Sequence, residues 1–190
     1  MEKVTVSILC GGKSSRMQSE KGLVLFQGKP FIEHIIEAVL PITDKIQLMT
    51  NTSDYDYLSF KKIKDIESDK GPIGGIYTAL VHSESEINLI LSCDIPLIST
   101  ALLSDLVTKH KSDFDVSVFS DNNKIHPLIG IYSKKIIPVL KKAIEDNDLK
   151  MMRLLDKVNH QLIKVDDELS SQFKNINSIA ELNELNTIYN

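Results

Sequence analysis

Residues 9–21, Leu-Cys-Gly-Gly-Lys-Ser-Ser-Arg-Met-Gln-Ser-Glu-Lys, place two adjacent glycines directly after an apolar run and follow them with Lys13, Arg16 and Lys21. Adjacent glycines let the backbone turn through positive φ and leave no Cβ between its amides and a ligand. Successive amides in such a turn form an anion-binding nest that suits a polyphosphate. Arg16 and Lys21 then supply positive charge where phosphate charge must be neutralised, while Lys13 reads as a solvated loop residue. The Walker spacing Gly-x4-Gly-Lys-Ser/Thr is absent, and the dinucleotide pattern Gly-x-Gly-x-x-Gly lacks its third glycine. A plain Gly-Gly turn before a solvated polar stretch is the competing reading.

Asp94 is the other residue with a chemical case of its own. It follows the apolar run from Ile87 to Leu91 and precedes Ile95-Pro96. A carboxylate where a buried strand stops is costly unless something compensates it. Magnesium shared with phosphate oxygens would do so, because that ion favours one or two carboxylates with phosphates and waters. A cap or turn aspartate for the following helix is the alternative. Asn51 closes the run Ile46–Met49 and serves equally as a cap before Asp54. Asp65 serves equally as a solvated turn residue beside Glu67 and Asp69. Gly71-Pro72-Ile73-Gly74-Gly75 reads as a tight turn opening a helix, either one whose glycines let a flat base approach the backbone or a purely structural one.

Positioning such residues needs a sheet. Apolar runs predict strands at 4–9, 45–50, 61–64, 87–92, 115–119, 128–132 and 161–165, non-alternating as in strands covered on both faces. Helices are expected at 31–40, 74–83, 99–110, 134–146, 149–157 and 178–187. In the first, Ile32, Ile35, Ile36 and Val39 recur at helical spacing. Ser99 or Thr100 can cap the third, and Ser178-Ile179-Ala180-Glu181 is a capping-box pattern for the last. The alternation predicts one α/β domain over residues 1–190, a three-layer sandwich with a mostly parallel, Rossmann-like sheet. Ligands in such sheets sit beyond the carboxyl ends of the strands. The glycine loop, Asn51, Asp65 and Asp94 each follow a predicted strand, so four polar features converge on one edge.

The pattern Leu-x-Gly-Gly-x-Ser-x-Arg-Met-x-x-x-Lys resembles the signature of the molybdenum cofactor guanylyltransferases, within the nucleotidyltransferases of glycosyltransferase-A-like fold. Further blocks are similar to that family in its own order: Gly28-Lys29-Pro30, Gly71-Pro72-Ile73-Gly74-Gly75-Ile76, Cys93-Asp94-Ile95-Pro96, His126-Pro127, and Asn175-Ile176-Asn177-Ser178-Ile179-Ala180-Glu181-Leu182. Gln18 stands where the family commonly has glycine, Glu20 where it has aspartate, and Cys10 where alanine is usual.

The resemblance implies transfer of GMP from GTP to a molybdopterin-type substrate with release of pyrophosphate, assisted by Mg2+. It implies catalytic roles for Arg16, Lys21 and Asp94, with Asp94 the metal ligand. It implies nucleotide contacts from Leu9, Cys10, Gly11, Gly12, Lys21, Asn51, Asp65 and Asp94. It places His126, Asn175 and Asn177 near the pterin, although local helix capping explains Asn177 as well. Proteins of molybdenum cofactor biosynthesis, or acceptors of the cofactor, are the implied protein partners. A related cytidylyl- or sugar-phosphate nucleotidyltransferase, a non-catalytic nucleotide-binding regulator, and an oligomeric α/β protein with a merely structural Gly-Gly turn remain rival readings.

Bulk properties narrow the field. A net charge of −4 over 190 residues argues against broad nucleic-acid binding. No stretch approaches the apolar length needed to span a bilayer, and the run after Glu2-Lys3 is too short for a signal peptide, so a cytoplasmic protein is expected. Cys10 and Cys93, the only two cysteines, lack zinc-ligand spacing and are expected as buried reduced thiols.

Overall fold

The computed structural model describes residues 4–11, 13–14, 19–122 and 124–189. Strand β1 (Thr5–Leu9) is buried along its whole length. Two short ribbons follow, β2 (Lys13–Ser14) with β3 (Ser19–Glu20), and β4 (Leu25–Phe26) with β5 (Lys29–Pro30). Helix α1 (Phe31–Val39) starts directly after Pro30, whose fixed φ suits a helix entry. Then come β6 (Ile46–Met49), β7 (Lys61–Ile63), α2 (Gly71–His82), β8 (Ile87–Ser92) and α3 (Thr100–Lys109). Ser99 caps α3 by accepting a hydrogen bond from the Leu102 amide at 3.3 Å. The chain continues through β9 (Val116–Asp121), β10 (Lys124–Ser133), α4 (Ile137–Glu145), α5 (Met151–Asp156) and β11 (His160–Lys164) to α6 (Ile179–Tyr189).

Seven strands form the main sheet in the order β11-β9-β10-β8-β1-β6-β7. All of its pairings are parallel except those of β10, which runs antiparallel to both β8 and β9. The pleat sends alternate residues to opposite faces. On one face Val6, Ile8, Leu48, Leu89 and Leu91 pack with α1 and α3 through Ile32, Ile35, Val39, Leu103 and Leu106. On the other, Leu9, Met49, Ile90 and Val118 pack with α2 and α4 through Ile73, Ile76, Leu80, Leu140 and Ile144. The result is the expected α/β sandwich with helices on both faces. Among the described residues no helix is long and apolar enough to cross a membrane.

Each expected strand and helix is present with ends shifted by a few residues, except that β10 is longer than the expected 128–132. Its first half carries Lys124, His126 and Pro127, which hide the strand pattern, and the ladder to β9 shifts register between His126 and Gly130. Such an irregularity re-aims side chains at the end of a sheet. A third apolar cluster, Val24, Phe26, Phe31, Ile176 and Leu185, draws α6 and the segment before it back onto the ligand end of the sheet.

Gly22, next to Lys21, is required sterically. A Cβ there would lie 2.7 Å from the Tyr55 hydroxyl oxygen and 3.4 Å from Cys93 Cβ. Tyr55 is fully buried, so the ring has little room to yield. Gly22→Ala is expected to destabilise by about 1–3 kcal/mol, the usual cost of overpacking. Gly22→Ala/Tyr55→Phe should recover part of it in urea denaturation, and equal losses for the single and double variants would place the strain elsewhere.

Candidate functional site

A cleft of about 760 Å³ opens where β1, β6, β7 and β8 end. Leu9, Cys10 and Gly11 come to it from β1, Asn51 from β6, Asp65 from β7 and Asp94 from β8, with Lys21 and Asn175 beside them. The four polar features expected on one edge of the sheet therefore share one cavity. Gly12 and Arg16 lie outside the described residues.

The centre of the cleft is an ion pair. Lys21 Nζ is 3.0 Å from Asp94 Oδ2, with the lysine side chain 23% exposed and the carboxylate 6%. Lys21 also donates to Asn177 Oδ1. The second oxygen, Asp94 Oδ1, accepts from Ser92 Oγ and from Asn175 Nδ2 at 2.5 Å. The Ile176 amide closes on the Asp94 carbonyl at 2.9 Å. A buried charge is tolerated when it is paired and hydrogen-bonded, and Asp94 meets both conditions.

On the far side of the cleft Asn51 and Asp65 bind each other reciprocally. Asn51 Nδ2 donates to Asp65 Oδ2 at 2.9 Å, and the Asp65 amide donates to Asn51 Oδ1 at 3.0 Å. Between these polar groups Gly71 begins α2 at φ +56°, and Gly71, Pro72 and Gly75 line the cavity. Gly75 stands so near β1 that a Cβ would lie 3.2 Å from Leu9 Cδ2. The expected turn opening a helix is thus present.

Cys10 and Cys93 are free and buried, as expected. Leu9 and Ser92 are partners in the ladder, so the two cysteines continue it by one residue. Burial first, then the neighbouring Cys93 thiol, pushes the Cys10 thiol well above its ordinary value.

His126, expected near the pterin, is buried beside the cleft rather than on its wall. Its side chain is 5% exposed, and Nε2 lies 2.5 Å from Asp121 Oδ1. The ring stacks on Phe173 at a centroid distance of 4.4 Å, and His126 is absent from the cleft wall. The register shift in β10 instead puts Leu128 on that wall. Phe173 ends the 3-10 turn Asp167–Phe173, so His126 supports the segment carrying Asn175 from beneath. Asn175 and Asn177 do reach the site, through Asp94 and Lys21. Ser92 carried no expected role, although its spacing two residues before Asp94 at a strand end was the available signal.

Of the carboxylates lining the cleft among the described residues, Glu20, Asp65, Asp69 and Asp94, only Asp94 is buried. Among the described residues no three His, Cys, Asp or Glu side chains are grouped to hold a metal. That donor set cannot cage a metal by protein alone, but it fits a hard divalent cation shared with a phosphate chain.

The α/β sheet, with a glycine turn, a lysine and a buried carboxylate gathered at its carboxyl end, defines a nucleotide-binding domain of the phosphate-handling transferase class. Residues 6–162 match the MobA-like NTP transferase domain, and the chain belongs to that family. It is 63% identical over 98% of both chains to a probable molybdenum cofactor guanylyltransferase of Flavobacterium johnsoniae. It is 33% identical to a molybdenum cofactor guanylyltransferase of Vibrio campbellii, over 92% of this chain and 91% of that one. The solved structure of molybdopterin-guanine dinucleotide biosynthesis protein A from Archaeoglobus fulgidus shares the fold, with a TM-score of 0.84, 24% identity and 98% of each chain covered.

Glu181 anchors the segment that reaches the ion pair. Its carboxylate accepts from the Asn177 amide at 2.7 Å and from Ser178 Oγ at 3.0 Å, while the Glu181 amide donates back to Ser178 Oγ at 3.3 Å. This is the expected capping box. The Asn177 amide foremost, and Ser178 after it, hold the Glu181 carboxyl below its ordinary value. A lowered folded pKa gives stability that is present above the unfolded pKa and lost as pH falls through the folded one. Wild type should therefore exceed Glu181→Gln in melting temperature near neutrality, with the gap closing in acid. A gap constant with pH would exclude the carboxylate as its source.

Proposed function

We propose that this chain transfers GMP from GTP to molybdenum-molybdopterin, releasing pyrophosphate and forming the guanine dinucleotide form of the molybdenum cofactor. The observation that carries this reading is the meeting of Lys21 and Asp94 at 3.0 Å inside the cleft, from positions 73 residues apart. The names of the relatives, and their coverage of nearly the whole chain, support the substrate pair.

The chemistry needs no covalent intermediate on the protein. A phosphate oxygen of the pterin substrate attacks the α-phosphorus of GTP, the bond from that phosphorus to the α–β bridging oxygen breaks, and pyrophosphate leaves with the bonding pair. The protein's task is to orient the reactants and stabilise charge on the leaving group. An ammonium has three donors. Lys21 spends two on Asp94 and Asn177, which leaves one for a phosphate oxygen. Asp94 is the residue to hold Mg2+, which when bound neutralises developing negative charge on the phosphates. Leu9, Cys10 and Gly11 form the floor beneath the nucleotide, and Asn51 and Asp65 offer polar groups on its far side.

Guanine presents an O6 acceptor beside N1 and N2 donors, an arrangement adenine lacks. Backbone atoms at Gly71, exposed where α2 begins, suit recognition of that edge, and a wrong base would leave them unpaired. GTP is accordingly preferred over CTP, with ATP and UTP poor substrates.

Pyrophosphate release with molybdopterin and each triphosphate in turn tests the reading. Turnover per unit concentration should be highest with GTP, and a higher value with CTP would overturn the guanylyl assignment. Lys21→Ala should bind GTP about ten- to a hundredfold more weakly, as expected for a lost charge-assisted hydrogen bond of about 1.5–3 kcal/mol. Wild-type GTP affinity in that variant would remove Lys21 from the site.

A further inference from the structure

Asp94 has two oxygens in unlike surroundings. Oδ2 faces Lys21 in the cleft, while Oδ1 takes two neutral donors, the Ser92 hydroxyl and the Asn175 side-chain amide. A carboxylate turns about its last side-chain bond over a broad, two-fold profile, so an unrestrained Asp94 would present its plane to the cleft over a range of angles. Two donors converging on one oxygen from separate elements remove that freedom. Ser92 is the last residue of β8, fixed by its ladder partner Leu9 and 8% exposed. Asn175 arrives from a segment beyond the matched family domain, which ends at residue 162. It is held on both sides, by Phe173 beneath and by the Ile176 amide bond to Asp94.

We infer that Ser92 and Asn175 are positioning residues that lock the Asp94 carboxylate, so that Oδ2 alone is presented to the cation accompanying the triphosphate. This rests on the reading of Asp94 as the cation ligand, and it gives Asn175 a task other than touching the pterin. Hydrogen-bond partners of a metal ligand set its orientation and basicity, and their loss typically weakens metal affinity about ten- to a hundredfold.

The test is Mn2+ binding to the GTP complex without pterin, read from the electron paramagnetic resonance signal of free Mn2+. Ser92→Ala and Asn175→Ala should each weaken Mn2+ by about ten- to a hundredfold. Ser92→Thr, which keeps the hydroxyl, should stay close to wild type. GTP binding in excess chelator should be unchanged in Ser92→Ala, because Lys21 and the floor of the cleft are untouched, a separation that general loosening of the site would not give. Wild-type Mn2+ affinity in Ser92→Ala, or equal loss of Mn2+ and metal-free GTP binding, would overturn the role of Ser92. An effect of Asn175→Ala confined to the KM for molybdopterin would overturn that of Asn175. Because binding is read without turnover, the result is decided whether or not the transfer reaction proposed above takes place.

Discussion

A carboxylate taken out of water must be compensated, and in this chain that requirement falls on Asp94. An isolated ionised carboxylate in an apolar setting costs many kcal/mol, and removing one partner from a buried pair is costly because the other charge remains. Lys21, Ser92 and Asn175 supply the compensation at the carboxylate, and the Ile176 amide ties the last of these to the Asp94 backbone carbonyl. The three partners come from three separate stretches of chain, so the ion pair dictates much of what surrounds it. The turn after Lys21 needs a glycine to pass Tyr55. The segment 175–177 must return to the sheet after an excursion through α4, α5 and β11. The third apolar cluster exists where that return has to be held.

Construction of the site separates rigidity from chemistry. Two apolar cores fix the parallel strands from both faces, and the pleat assigns each side chain to one core or the other. Ends of parallel strands are where backbone groups and side chains become free to serve a ligand. Gln47, buried between the layers, donates to Ser7 Oγ at 2.8 Å and to the Ala79 carbonyl at 3.1 Å, which ties β6, β1 and α2 together just below the cleft. A site resting on such a floor need not reorganise before it binds a charged ligand.

Most of the scaffold was legible in the sequence because it is local. Ile32, Ile35, Ile36 and Val39 declare a helix by spacing, and Ile87–Leu91 declares a buried strand by composition. The order of strands and polar residues then brought Asn51, Asp65 and Asp94 together without any pairwise contact being known. What spacing could not reveal is the pairing of distant side chains. Nothing local tells that Asn177 will meet Lys21 across 156 residues, or Asn175 meet Asp94 across 81. The contacts of His126 were hidden for a related reason, since its motif marks a position in the chain, while the pairing with Asp121 and Phe173 depends on the partner strand and its register shift. Leu128 reaches the cleft by the same shift. The first half of β10 escaped notice because its polar and proline residues interrupt the apolar signal.

Synthesis runs from the amino end, and chains begin to fold as they emerge. Cys10, Lys21 and Asp94 are therefore made before Asn175 and Asn177, whose side chains complete the surroundings of the ion pair. Because a domain folds as a unit, the ordered reactive centre waits on those two amides even though both of its charged groups are made earlier. The order of synthesis thus separates possessing the reactive groups from holding them in place.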